Sequence, residues 1–152
     1  MSKVMAVGVF DLLHAGHLHY LEQAKALGSH LTVIVAHDDT VRMRKHEPVT
    51  GMDLRRRMVD GLKPVDDALI GLPPSESMFD ILNQVKPDII ALGYDQDHAE
   101  EWIKEELGKR GKSHIKVQRV EGLSDDLDGT RKIISRILEL SPTWKNNGED
   151  ES

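Results

Sequence analysis

Apolar residues along this chain follow two patterns that alternate. Short continuous runs are typical of strands buried on both faces of a parallel sheet, and between them apolar residues recur every three or four positions, as in amphipathic helices. Strands alternating with helices predict an α/β fold: a five-stranded parallel sheet, doubly wound by helices, in a single domain. The continuous runs predict strands at 4–7, 31–36, 68–71 and 87–93, and alternating apolar and polar residues predict an edge strand at 115–119. The periodic segments predict helices that include 17–27, 52–62, 78–85 and 130–140.

The last predicted helix has the most regular pattern. Its apolar positions Ile133, Ile134, Ile137 and Leu138 fall at helical spacing, so we expect them to be buried against the sheet. We assign residues 1–140 to the folded domain. Residues 141–152 are mostly polar, and we expect them to form a disordered tail.

Composition narrows the function mainly by exclusion. The 152 residues include no cysteine, which rules out disulfides, thiolate metal sites and cysteine nucleophiles. A net charge of -6 and few aromatic side chains argue against a nucleic-acid partner. We found no leader segment and no apolar run of membrane-spanning length, so we expect a cytoplasmic protein without a membrane partner.

The most informative stretch is Gly8–His17, which lies where the first strand turns into the first helix. His14 and His17 are three positions apart and share a helix face, while Gly16 between them lets a bulky group approach the backbone. A helix N-terminus also offers free N–H groups to an anion. Together these features favour a polyphosphate site, although helical histidine pairs also bind metals or simply lie on surfaces. The residues of this predicted phosphate-binding turn are Gly8, Val9, Phe10, Asp11, His14, Gly16 and His17.

Other polar residues follow later strands and should meet the same edge of the sheet. Asp38 follows the second strand and precedes a basic stretch, 42–46, that we expect to belong to a loop because Pro48 and Gly51 follow it. By itself this stretch is more typical of a solvated surface. Its place between the second strand and the next helix instead favours a loop that closes on a triphosphate. Asp95 follows the fourth strand, where it would bind a ribose or a metal-bound water, or else cap the next helix.

The pattern Gly-x-Phe-Asp-x-x-His-x-Gly-His at 8–17 resembles the signature of the nucleotidyltransferase (cytidylyltransferase-like) superfamily. Members have a Rossmann-like sheet and join a nucleoside monophosphate unit to a phosphate-bearing acceptor. The resemblance implies that His14, His17, Lys45 and Arg119 are catalytic. It also implies nucleotide contacts from Gly93, Asp95, Ser124 and Thr130, and acceptor contacts from Asp38 and Arg55.

Within the superfamily, the chain from Lys3 to Leu140 is similar to archaeal-type FAD synthases, notably in the elements 86–96 and 130–134. One departure is the absence of the cysteines that this group often carries near its last helix. The resemblance implies transfer of AMP from ATP to FMN by in-line attack, with Mg²⁺ and a homodimeric assembly. Asp11 would orient the metal ion or shape the turn. The alternatives are a glycerol-3-phosphate cytidylyltransferase, which uses CTP, and a nucleotide-binding domain that does not catalyse.

Overall fold

One sheet of five parallel strands runs through the computed structural model of this chain, which describes residues 2–93, 97–122 and 130–144. Its strands are β1 (Lys3–Gly8), β2 (His30–Val35), β3 (Asp67–Ile70), β4 (Ile89–Leu92) and β5 (Lys116–Arg119). They lie in the spatial order β3-β2-β1-β4-β5, so the winding reverses between β1 and β4. The predicted doubly wound α/β sheet is confirmed, and this reversal is where such folds bind ligands.

The helices alternate with the strands as the periodicity predicts. They are α1 (Ala15–Ala26), α2 (Asp38–Arg44), α3 (Met52–Asp60), α4 (Leu82–Val85, after the 3₁₀ turn Met78–Ile81), α5 (Asp97–Lys109) and α6 (Thr130–Leu140, before the 3₁₀ turn Ser141–Thr143). Within the described ranges, no helix is long and apolar enough to cross a membrane.

Two apolar clusters cover the two faces of the sheet, because successive residues of a strand point to opposite sides. Val4 and Ala6 belong to the cluster that includes residues of α1 and α3, whereas Met5 between them belongs to the cluster that includes residues of α4 and α5. Burial on both faces explains why these strands are continuously apolar in sequence.

The short helix α2 corrects our prediction that the basic stretch belongs to a loop. The His37 side chain caps this helix by accepting a hydrogen bond from the Asp39 N–H at 3.1 Å. Acidic residues occupy its first turn and basic residues its last, which is the arrangement that complements the helix dipole. The loop therefore begins only after Arg44.

Helix α6 corrects a second prediction. Its bounds are as predicted, but none of its residues is buried, and Ile137 and Leu138 are 41% and 67% exposed. Periodicity identifies the apolar face of a helix without identifying what covers it. Of the predicted tail, residues 141–143 form a 3₁₀ turn, and 145–152 lie outside the described residues.

Candidate active site

The turn from β1 to α1 is held in a conformation that few residues adopt freely. Phe10 and Leu12 have φ angles of 57° and 55°, in the left-handed region that normally favours glycine. The Phe10 ring is buried and packs edge-on against His17, with 5.2 Å between ring centroids. It also lies so close to Gly8 that a Cβ there would be 2.8 Å from the ring. Such strain costs about 1–3 kcal/mol per residue and persists where the surrounding structure fixes it, often at functional sites.

His14 and His17 are joined at the start of α1 in a reciprocal cap. The Nδ1 atom of His14 accepts a hydrogen bond from the Gly16 N–H at 3.0 Å, and the Nδ1 atom of His17 accepts one from the His14 N–H at 3.3 Å. The two rings are stacked, with 3.7 Å between centroids. Because Nδ1 accepts a backbone hydrogen bond in each ring, Nε2 is the ring atom from which each histidine can donate one.

His17 is kept neutral by its surroundings. Burial lowers its pKa from 6.5 to about 4, and the nearby charges of His14 and Lys45 lower it further, against an opposing effect of Asp11. The charge of the exposed Lys45 side chain thus acts on His17. At neutral pH the His17 side chain is therefore an uncharged imidazole.

Asp11 binds the loop that follows α2. Its two carboxylate oxygens accept hydrogen bonds from the backbone N–H groups of Val49 and Thr50, at 2.7 and 3.0 Å. Asp11 is 3% exposed. These contacts favour the turn-shaping alternative for Asp11 over metal binding, which stays a prediction.

Arg55 is buried beneath the same turn, with 1% exposure. Its guanidinium donates to the backbone carbonyls of Thr50 and Val9, each at 2.7 Å, and to Asp38 at 2.6 Å. Burial disfavours the charged form of Asp38, but the hydrogen bond and charge of Arg55 outweigh it, so the pKa of Asp38 is lowered. The pair that we predicted to bind the acceptor is thus engaged in holding the turn and the loop, and an acceptor contact from it stays a prediction.

The far end of the chain also reaches the turn. Thr130, the first residue of α6, donates its hydroxyl hydrogen to the Asp11 carbonyl at 3.1 Å. Arg119 ends β5 next to Leu92 and donates to Glu100 of α5 at 3.0 Å, and Gly93 directly follows β4. These three predicted residues therefore lie at the carboxyl edge of the sheet. Asp95 and Ser124 lie outside the described residues.

Sequence reasoning missed Tyr20. Its hydroxyl accepts a hydrogen bond from the Val7 N–H at 3.3 Å and donates one to the Ala91 carbonyl at 2.6 Å, so it bridges β1 and β4 where the two strands part. The sequence offered one clue to this role: Tyr20 is one of only two tyrosines in the chain, and it lies six residues after His14 on the helix that follows the signature. Across 2–93, 97–122 and 130–144, no group of three or more acidic or histidine side chains is arranged to hold a metal ion.

The chain matches known proteins over most of its length. Residues 5–142 match the family described as cytidylyltransferase-like. A protein named FAD synthase from Aciduliprofundum boonei is 49% identical over 91% of this chain and 92% of its own length. One of the same name from Ferroglobus placidus is 46% identical over 93% and 91%. A crystal structure described as a lipopolysaccharide core biosynthesis protein from Thermoplasma volcanium superimposes with a TM-score of 0.76, at 40% identity over 82% of this chain and 99% of that one.

Proposed function

Because this chain belongs to the cytidylyltransferase-like family, we propose that it is an FAD synthase, which transfers AMP from ATP to FMN and releases pyrophosphate. Relatives that carry this name are 46–49% identical over nearly their whole length, which supports the resemblance found in the sequence. The observation that carries the chemistry is the stacked pair His14 and His17, whose Nδ1 atoms both accept backbone N–H groups.

The reaction needs no nucleophile from the protein. A phosphate oxygen of FMN attacks the α-phosphorus of ATP, a new P–O bond forms, and the bond from that phosphorus to the bridging oxygen breaks as pyrophosphate leaves. Such transfers depend on positioning and charge stabilisation. The two Nε2–H donors stabilise the phosphate oxygens, and a neutral imidazole at this place donates without a change in its own charge.

Cationic and backbone groups complete the site. Lys45, which acts electrostatically on His17, contacts the same phosphates, and Arg119 approaches from the end of β5. The N-termini of α1 and α6 meet at Asp11 and add backbone N–H donors, with Thr130 at the second of them. A divalent ion, most simply Mg²⁺, would accompany the ATP phosphates and would offset part of their negative charge.

The direct test measures pyrophosphate and nucleotide products with ATP or CTP, each combined with FMN or glycerol 3-phosphate. We expect product only from ATP with FMN, as FAD. His17→Gln should lower the rate at least about 100-fold, as loss of a transition-state donor does, while the exposed His114→Gln serves as a control. Product only from CTP with glycerol 3-phosphate, or none from any pair, would contradict the proposal.

We also propose that the protein is a cytoplasmic homodimer. Exposed apolar side chains on α6, at Ile137 (41%) and Leu138 (67%), support association with a second copy. Sedimentation should give the mass of two chains, and Leu138→Glu should shift it towards one. A single-chain mass at micromolar concentration would refute this assembly.

A further inference from the structure

A cavity of about 620 Å³ opens beside the signature turn, on the face of the sheet covered by α4 and α5. This volume lies within the range of about 300–1,000 Å³ that is typical of small-molecule sites. Gly8, Val9 and Lys45 form the end nearest the turn, and Glu106 and Arg110 are among its other lining residues. The cavity therefore connects the predicted phosphate site with the space between the sheet and its helical layer.

The walls are mostly apolar and unusually rich in large flat or flexible side chains. The chain has only six aromatic residues apart from histidine, and two of them, Phe79 and Trp102, line this cavity. Their rings are in edge-on contact, with 5.4 Å between ring centroids. Met43 and Met78 also line it and remain 65% and 41% exposed. Exposed apolar side chains gathered around a concave surface mark a ligand site, and methionine adapts to the shape of a flat ring.

The polar groups of the cavity complement an amphipathic ligand. Lys45 provides a cation at the end near the signature. Elsewhere in the lining, the Arg110 guanidinium lies 4.4 Å from the centre of the Phe79 ring and is paired with Glu106. Arg110 offers hydrogen-bond donors and Glu106 offers acceptors. A ligand with a flat aromatic body, polar edge atoms and a terminal phosphate satisfies these groups.

We infer that this cavity binds the isoalloxazine ring of FMN, with Trp102 against the ring system and the FMN phosphate directed towards the signature turn. The inference rests on the proposed function, because it assigns a place to that reaction's acceptor. It also separates the two substrates. Arg119 and Thr130 are not among the residues that line this cavity, so we assign ATP to the side of the turn nearer β5 and α6.

The test compares Trp102→Ala with Trp144→Ala, since these are the only two tryptophans and Trp144 is exposed and outside the cavity. FMN binding is titrated by the quenching of flavin fluorescence, and KM is measured separately for FMN and ATP. Loss of one aromatic stacking surface weakens binding of a ring by about 10-fold. We expect that increase in the Kd and KM for FMN with Trp102→Ala, an ATP KM within about twofold of the native value, and no change with Trp144→Ala.

A second variant guards against misfolding of the first. Met78→Glu places a carboxylate at a half-exposed position of the wall, and it should weaken FMN binding while circular dichroism remains native. Raised ATP KM with unchanged FMN KM in both variants would overturn the inference and give the cavity to adenine, and native FMN binding in both would overturn it outright. If the native protein binds FMN through Trp102 but forms no FAD, the proposed function fails while the cavity assignment stands.

Discussion

The neutral state of His17 links the active site to the stability of the whole domain. Its pKa is about 4 in the folded protein, because of burial first and then the charges of His14 and Lys45, against 6.5 for an unperturbed histidine. Between these values the unfolded chain binds more protons at this position than the folded chain. Acidification therefore favours unfolding, and the stabilisation is complete above pH 6.5 and lost as the pH falls towards 4.

The magnitude follows from the two pKa values. At pH 4.5 the unfolded histidine is about 99% protonated and the folded one about a quarter protonated, which corresponds to a loss of at most about 2.5 kcal/mol relative to neutral pH. His17→Gln removes the titrating group and keeps a side chain that accepts hydrogen bonds. The native protein should therefore lose up to about 2.5 kcal/mol more than the variant between pH 7 and pH 4.5.

Urea unfolding followed by circular dichroism measures both free energies. The comparison uses the difference between the two pH values, so any constant cost of the substitution cancels. His114→Gln, at an exposed position, should behave like the native protein. An equal loss of stability in the native protein and in His17→Gln would show that His17 is not held neutral, and it would remove the basis for treating it as an uncharged donor.

Three further predictions concern the supports of the turn. Asp11→Ala should lower the free energy of unfolding by about 2 kcal/mol, because two loop N–H groups lose their carboxylate acceptor. It should also speed tryptic cleavage after Arg44 or Lys45, and unchanged cleavage would mean that Asp11 does not hold the loop. Arg55→Leu should lower the free energy of unfolding in urea by about 3 kcal/mol, because it leaves the Asp38 carboxylate unpaired. The double variant Asp38→Leu/Arg55→Leu should lose less, so additive losses would argue against the pair. Tyr20→Phe should lower the free energy of unfolding by about 1–2 kcal/mol and raise the KM for ATP, because the Val7 N–H and the Ala91 carbonyl lose the hydroxyl that joins them. A native KM for ATP would make Tyr20 purely structural.

Features that depend on neighbouring residues were predictable from the sequence. Continuous apolar runs located the first four strands, and alternation located the fifth as an edge strand. The ten-residue signature located the turn and the first helix, because all of these are patterns within a short stretch. The family resemblance is confirmed by the match over residues 5–142. Helix α2 was predictable in principle from its acidic first turn and basic last turn, but the nearby proline and glycine outweighed that signal.

Features that depend on distant residues were not predictable in this way. Three consecutive arginines at 55–57 are polar by pattern, yet Arg55 is buried because Val9, Thr50 and Asp38 surround it with acceptors. The exposure of Leu138 likewise depends on whether another surface covers α6. A local pattern gives the preference of a segment, whereas these outcomes depend on which other segment it meets.

The signature turn is held from three separate parts of the chain. Asp11 binds the loop after α2, whose residues are 38 and 39 positions away in sequence. Arg55 of α3 binds the Val9 carbonyl across 46 positions, and Thr130 of α6 binds the Asp11 carbonyl across 119. A reaction without a protein nucleophile depends on where phosphates are held, so each of these contacts acts on catalysis by fixing the turn that carries the histidines. A substitution of Arg55, which is buried beneath the turn, should therefore lower the rate through geometry, which explains why a strained turn of ten residues needs the whole domain around it.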